Sequence, residues 1–363
     1  MMIQLLMGTA WLLLLVTCLP WLRCTHWTVR VFDFPRFQIA AFGLAVCAGL
    51  AFFDVQAHSV YNDMALGAAL FAVVVQAVQI WPYTRLAPRQ MLRAQQADSH
   101  QISIINANVL MTNRNVTGLL DQVSRIRPHL LITLESNTWW GEQLESGLSE
   151  DYVHNVRIPL DNLYGMHLFS RLPLEDVEVR WLIQDDIPSI RCWVRLESGE
   201  RVRLYALHPR PPSPSESDES LWRDAELLLV AEEIKQERVP TLLVGDLNDV
   251  AWSHTTRLFC NISGMLDPRR GRGTFSTFHA RWPFLRWPLD HAFASSDFEL
   301  VHLRRLKYFG SDHFPLLIKL MYCPAYDAVQ ETPHADEAQW HEAEQTITTA
   351  QDYTHSDDGA TSV

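Results

Sequence analysis

The sequence predicts an α/β domain of mixed sheet and helix, held behind a three-helix transmembrane anchor and followed by an acidic tail. Three observations lead there. Three long uncharged runs lie before residue 85, and residues 323–363 hold nine acids without a Lys or Arg. Between them, from residue 101 to 322, short β-branched runs alternate with two stretches of helical spacing. The whole chain of 363 residues is 48% hydrophobic and 20% charged, which excludes a wholly disordered or collagen-like protein. Its net charge of -12 is unevenly spread: +3 over residues 1–96, -6 over 97–322 and -9 over the tail. A mean hydropathy of -0.05 therefore averages an apolar anchor with a polar tail. Six Cys without paired spacing point to neither a disulfide framework nor a zinc ribbon.

The anchor, residues 1–84, comes first. No charged side chain precedes Arg23, and further uncharged runs lie between Arg36 and Asp54 and between Asp63 and Arg85. Hydrocarbon about 30 Å thick needs roughly 20 helical residues, so spans are expected at about 2–22, 37–55 and 64–84. The first run lacks the basic start and small-residue cleavage site of a signal peptide, and two more runs follow it. The second, the shortest, could instead be a buried or re-entrant helix. Arg23, Arg30 and Arg36 occupy the first loop, Asp54 and Asp63 the second, and Arg85, Arg89 and Arg93 follow the third span. Positive loops stay inside. The expected address is thus the inner membrane, multi-pass, with everything after residue 85 cytoplasmic. Trp21, Trp27, Trp81 and Tyr83 sit where interfacial aromatics belong.

Residues 85–100 are polar and read as a linker. In 101–322, strands are expected at 102–109, 130–134, 166–169, 177–182, 190–196, 202–207, 241–244, 291–294 and 315–320. Helices are expected at 116–126 and 220–237, ending before Pro128 and Pro240. Such a pattern makes mixed α/β layers. The tail, 323–363, has few large apolar residues and is expected to be disordered.

Polar residues gather at the ends of the strand-like runs, where loops build sites on a rigid scaffold. One run ends in Asn106-Ala107-Asn108, another in Glu135, another in His208-Pro209 and another in Gly245-Asp246-Leu247-Asn248. Asp290-His291 and Ser311-Asp312-His313-Phe314-Pro315 precede the last two. Together they supply hard oxygen donors suited to Mg²⁺ or Mn²⁺, and imidazoles able to act on a phosphate. The absence of His-Glu-x-x-His and of a thiolate cluster disfavours zinc.

In this order the motifs Asn108-Val109, Pro128-x-x-Leu131-x-x-x-Glu135, His208-Pro209, Gly245-Asp246-x-Asn248, Asp290-His291 and Ser311-Asp312-His313-x-Pro315 resemble the endonuclease/exonuclease/phosphatase superfamily, with the deoxyribonuclease I-like fold. The membrane-anchored arrangement resembles a bacterial branch of it. The resemblance covers about residues 102–320 and implies a two-layer β-sandwich flanked by helices, the catalytic domain being 101–322. It further implies Glu135, Asn108 and Asp312 as metal ligands for Mg²⁺ or Mn²⁺. Asp246 would orient or deprotonate the attacking water, and Asn248 would hold that water and a phosphate oxygen. His208 and His313 would donate to phosphate oxygens, with Asp290 fixing the His313 ring.

Two departures stand out. Val109-Leu110-Met111 lacks the extra acid of some nuclease members, and Asn162-Leu163-Tyr164-Gly165 shows no carboxylate partner for His208, leaving Tyr164 or Asn162 as substitutes. Arg269, Arg270 and Arg272, spaced by Gly271 and Gly273, are expected to contact substrate phosphate, with Tyr164 as a further substrate-binding residue. With the aromatics of residues 275–287 they could follow a nucleic acid backbone, or touch lipid headgroups. A structural role for that loop is the plainer alternative. The expected function is a membrane-anchored, metal-dependent phosphodiesterase using metal-activated water, with nucleic acid ahead of phospholipid as substrate. The alternative is a non-catalytic membrane-anchored module that binds a phosphorylated partner.

Overall fold

The computed structural model describes residues 1–54, 59–95, 98–324 and 329–360, the last seven of them by backbone alone. Residue 55 of the second expected span, linker residues 96–97 and tail residues 325–328 and 361–363 lie outside the described residues. The apolar runs form α1 (Met2–Cys18), α3 (Arg36–Asp54) and α4 (Val60–Ile80), with the short α2 (Trp27–Arg30) in the first loop. Among the described residues three helices are long and apolar enough to cross a membrane, at Met2–Leu22, Arg36–Phe53 and Val60–Tyr83. They pack through small and branched residues such as Ala10, Leu13, Val46, Leu50, Ala65 and Ala69. Leu12, Leu15, Phe42, Leu44, Phe71, Val74 and Val78 face outward, the inverse of a soluble bundle.

The soluble part follows in chain order. Its first half is β1 (Gln101–Asn108), α5 (Val116–Ile126), β2 (Leu130–Leu134), α6 (Thr138–Gly147), β3 (His154–Ile158), β4 (Met166–Ser170), β5 (Leu174–Trp181) and β6 (Pro188–Arg195). Its second half is β7 (Arg201–Leu207), α7 (Leu221–Glu237), β8 (Thr241–Asp246), α8 (His254–Ser263), β9 (Asp290–Ala294), β10 (Phe298–Arg305), β11 (Leu316–Tyr322) and α9 (Glu337–Ala360). One sheet runs β10-β11-β1-β2-β4-β3 and the other β5-β6-β7-β8-β9. This is the predicted two-layer sandwich flanked by helices. Alternate residues of each sheet meet in one core: Ile102, Ile104, Ile132 and Leu134 from the first, Ile190, Cys192, Leu204, Leu242 and Val244 from the second. The intervening residues bury outward, Ile105, Leu131 and Leu317 beneath α5 and α6, Tyr205, Leu243 and Phe293 beneath α7 and α8.

Each sheet has one central parallel pair, β1 with β2 and β7 with β8. A parallel pair needs a crossover, here carried by α5 and α7 respectively, and both of its strands end at the same edge. Asn108, Glu135, His208 and Asp246 therefore emerge at one edge of the sandwich. The antiparallel register of β8 with β9 sets Asp246 opposite Asp290.

Two expectations are corrected. Residues 337–360 form a helix, with Ala343 and Ile347 buried against α7 and α8, so the tail is not disordered over its described length. Its stripe Trp340, Ala343, Ile347, Ala350 has helical spacing, hidden in a polar composition. Residues 85–95 are no free linker either. Met91 is fully buried in the inter-sheet core, Leu92 O accepts from Leu300 N at 2.8 Å, and Tyr83 Oη donates to Ala251 O.

Glu226 on α7 is buried with an unpartnered Oε1, and burial pushes its carboxyl up to about 8. Its folded value lies above its unfolded one, so its stabilising contribution is complete below about pH 4.5 and is lost as pH rises to about 8. Glu226→Gln should leave the thermal midpoint unchanged at pH 4. At pH 8.5 it should raise stability by up to roughly 5 kcal/mol, as read by unfolding at the two pH values.

Candidate active site

The cluster is built from strand ends. Asn108 closes β1, and its Nδ2 donates to Glu135 Oε1 at 2.7 Å and to Asp246 Oδ2 at 3.2 Å. Glu135, immediately after β2, has φ +54°, and Asn248, just past β8, has φ +50°. Such left-handed backbone is costly for a non-glycine residue, so both turns are held by their surroundings. Asn248 is held from two sides: its N–H donates to Asp246 Oδ1 at 3.0 Å and its Nδ2 to Pro209 O at 3.0 Å.

On the other side of Asp246 lies His313. Its Nδ1 is 2.8 Å from Asp290 Oδ2 and 3.4 Å from Asp246 Oδ2. Burial works against charge on this ring, but Asp246, Asp290 and Asp312 outweigh it and hold the imidazolium up to about 10. Nδ1 is thereby committed to Asp290, and Nε2 is the atom left to donate elsewhere. Asp290 is fixed in turn by Asn106, whose Nδ2 donates to Oδ1 at 2.9 Å. Ser311 Oγ donates to Asn108 O and accepts from His313 N, tying the last loop to β1. Asp312 adds a carboxylate whose field is felt at both Glu135 and His313.

His208, after β7, is buried, and burial pulls its imidazole down to about 4, so it is neutral at pH 7. Its Nδ1 has no hydrogen-bond partner among the described residues. Tyr164 does not supply one: its ring lies 5.3 Å from the His208 ring, but its hydroxyl donates to Glu216 at 2.9 Å. Asn162 is likewise spent on Asp186 O and Tyr164 N.

The donor set fits a divalent cation. Burial, with Asp312 and Asp246 adding to it, pushes Glu135 up to about 7 against the opposing pull of Asn108 and His313. Burial also raises Asp246. Four carboxylates thus face one imidazolium. Among the described residues Asp246, Asp290 and His313 have ligand atoms within 4.8 Å of one another. Crowded, desolvated oxygen donors of this kind are what a hard cation relieves.

The structure brings Asn108, Glu135, His208, Asp246, Asn248, Asp290, Asp312 and His313 together, and Tyr164 stands beside them. It does not bring in the three arginines. Arg269 is buried and pairs with Asp267 at 2.8 Å, His291 Nδ1 at 2.7 Å and Asp290 O at 3.3 Å. Arg270 stands over the Tyr83 ring, and Arg272 donates to Pro268 O and Met91 O. Gly271 makes room for the chain itself: a Cβ there would lie 2.5 Å from Pro88 O and 2.7 Å from Arg89 Cα. This loop clamps the segment that follows α4, which corrects its expected role in substrate contact. Asn106 and Ser311 were missed. Asn106 precedes Asn108 by two residues on the same strand, and that period-2 spacing was the available signal.

The sequence profile of the Endonuclease/Exonuclease/phosphatase family matches residues 105–313. No curated protein matches the chain in sequence. Among solved structures, D. rerio TDP2 complexed with a single-strand DNA product aligns with TM-score 0.51 at 17% identity, over 61% of this chain and 99% of that one. A humanized D. rerio TDP2 gives 0.51 at 16%, over 61% and 99%. An endonuclease/exonuclease/phosphatase family protein from Bacteroides thetaiotaomicron gives 0.50 at 17%, over 61% and 98%. At such identities the likeness concerns the fold.

Proposed function

The chain belongs to the endonuclease/exonuclease/phosphatase family, and from that premise we propose that it is a membrane-anchored phosphodiesterase dependent on Mg²⁺ or Mn²⁺. The observation that carries the reading is the continuous chain of hydrogen bonds and one ion pair from Glu135 through Asn108 and Asp246 to His313, Asp290 and Asn106. A module that only bound a phosphorylated partner would have no use for so many converging carboxylates.

A bound divalent ion, held by Glu135 with Asn108 and Asp312, would neutralise phosphate charge and stabilise the transition state. Asp246 accepts a proton from, or orients, the attacking water, and Asn248 holds that water against a phosphate oxygen. His313, charged and gripped by Asp290 at Nδ1, donates from Nε2 to the oxyanion that develops. His208 donates to a non-bridging oxygen from whichever nitrogen carries its proton. Positioned donors of this kind, aimed at charge that appears only in the transition state, supply the largest share of such catalysis.

The anchor is read as spanning the inner membrane with the domain in the cytoplasm. In support, the first loop touches the domain, with Trp27 N on Asp218 O at 2.9 Å and Trp252 Nε1 on Asp33 O at 2.7 Å. Both therefore lie on one side of the bilayer, as a three-span anchor requires. The arginines that placed nucleic acid ahead of phospholipid are spent on Asp267, the Tyr83 ring and backbone carbonyls, Asp290 O among them, while Phe278 of the same stretch lies 4.9 Å from the His313 ring; the substrate is taken as a phosphodiester of either kind. The purified full chain with Mg²⁺, offered single-stranded DNA, RNA, phospholipid vesicles and a soluble phosphomonoester, should hydrolyse a diester. No product from any of them would sink the reading.

A further inference from the structure

A cavity of about 770 Å³ opens where the second membrane helix meets the catalytic domain. One wall is the first turns of α3, at Phe37, Gln38 and Ala41, and the opposite wall carries Arg85, Arg272, Arg286, Arg304 and Arg305. No Asp or Glu lines it. Gln38 Nε2 donates to Phe284 O at 2.6 Å, so the loop bearing the exposed Phe284 is tied to the helix at its entry into the apolar span. None of the residues of the catalytic cluster lines the cavity, and Arg286 and Arg305 stack on the ring of Phe314 at 5.0 and 4.5 Å.

The arginines are held in place without being neutralised. Arg286 donates to His279 O and Ala280 O, Arg305 to Ser276 O, and Arg272 to backbone carbonyls as above. Arg85 and Arg304 are exposed. Among the described residues none of the five forms an ion pair with a carboxylate. Five like charges around one space repel, and an anion bound there removes that repulsion. The apolar share of the lining is Phe37 and Ala41 of α3 together with Phe275, Pro283 and the exposed Phe284 of the domain.

We propose that this cavity takes the phosphate of an anionic phospholipid headgroup, with the acyl chains running beside α3. The site seats the catalytic domain on the bilayer surface. It rests on α3 lying in a membrane and not on the catalytic reading. A basic cavity walled by a membrane helix suits a headgroup with an apolar tail better than an extended polymer, which would need an open groove on both sides.

The test uses the full chain in detergent micelles, titrated separately with phosphatidylglycerol, phosphatidylcholine, inorganic phosphate and a single-stranded oligonucleotide. The comparison is the double variant Arg85→Gln/Arg304→Gln, whose exposed side chains leave the fold intact, as an unchanged thermal midpoint will show. Phosphatidylglycerol should bind more tightly than phosphatidylcholine or phosphate, and the double variant should weaken it roughly 30-fold. Equal binding of the two lipids, or equal binding by variant and wild type, would overturn the proposal. Phosphate binding as tightly as phosphatidylglycerol would leave an anion site without a lipid component. An oligonucleotide whose binding alone falls in the variant would make it a nucleic acid site; both results also overturn the proposal.

Discussion

Asp246→Asn should lower kcat by roughly 10³–10⁴-fold while leaving the thermal midpoint close to that of the wild type. Asn is nearly isosteric with Asp, and its amide oxygen can still accept from Asn248 N, which fixes the loop after β8. What disappears is the charge. That charge accepts the Asn108 amide beside Glu135, lies 3.4 Å from His313 Nδ1 and, in the proposed mechanism, orients or deprotonates the attacking water. Loss of general-base catalysis alone costs up to about four orders of magnitude. Turnover within tenfold of wild type would show that Asp246 is a structural carboxylate and would remove the assigned mechanism.

Arg30→Met should destabilise the full chain by about 3 kcal/mol, a large effect for a residue from the loop between α1 and α3. Arg30 is buried where that loop docks, 3.6 Å from Asp224 and 3.9 Å from Asp249, with Asp33 at 3.8 Å and a hydrogen bond to Thr255 at 2.8 Å. Burial opposes its charge, but these three carboxylates overcome it and hold the guanidinium protonated. Arg223 shares Asp224 and Asp249 and Arg36 pairs with Asp33 at 2.5 Å, so without Arg30 two buried cations would face three buried acids. Asp249 follows Asn248, and Arg223 also donates to Asn248 O, so the disturbance reaches the catalytic loop. Unfolding of the variant in detergent would report the loss, and adding Asp224→Asn should recover part of it. An unchanged midpoint would mean that the loop rests on the domain without stabilising it.

Much of this arrangement is legible in the sequence because two signals coincide. Central strands buried on both faces read as uninterrupted apolar runs, and parallel pairs bring their polar C-terminal residues to one edge. Asn108, Glu135, His208 and Asp246 are found that way. Strands β3 and β10 were not expected, since edge strands such as His154-Asn155-Val156-Arg157-Ile158 carry polar residues on an exposed face. Helix α9 was masked by its acidic composition. Arg269 misled because Asp267, two residues before it, pairs with it in the fold, whereas the linear pattern shows only a run of positive charge. The unpartnered Nδ1 of His208 is a tertiary fact: it depends on Tyr164 turning to Glu216, 52 residues away.

The central claim is that the cluster around Asn108, Glu135 and Asp246 is a metal-dependent phosphodiesterase centre. It is tested most directly by hydrolysis with the full chain stripped by a chelator and then given Mg²⁺, beside Glu135→Gln treated identically. The stripped wild type should be inactive and recover with Mg²⁺, and the variant should stay inactive at every metal concentration. Turnover that survives chelation, or that is equal in wild type and Glu135→Gln, would contradict the claim.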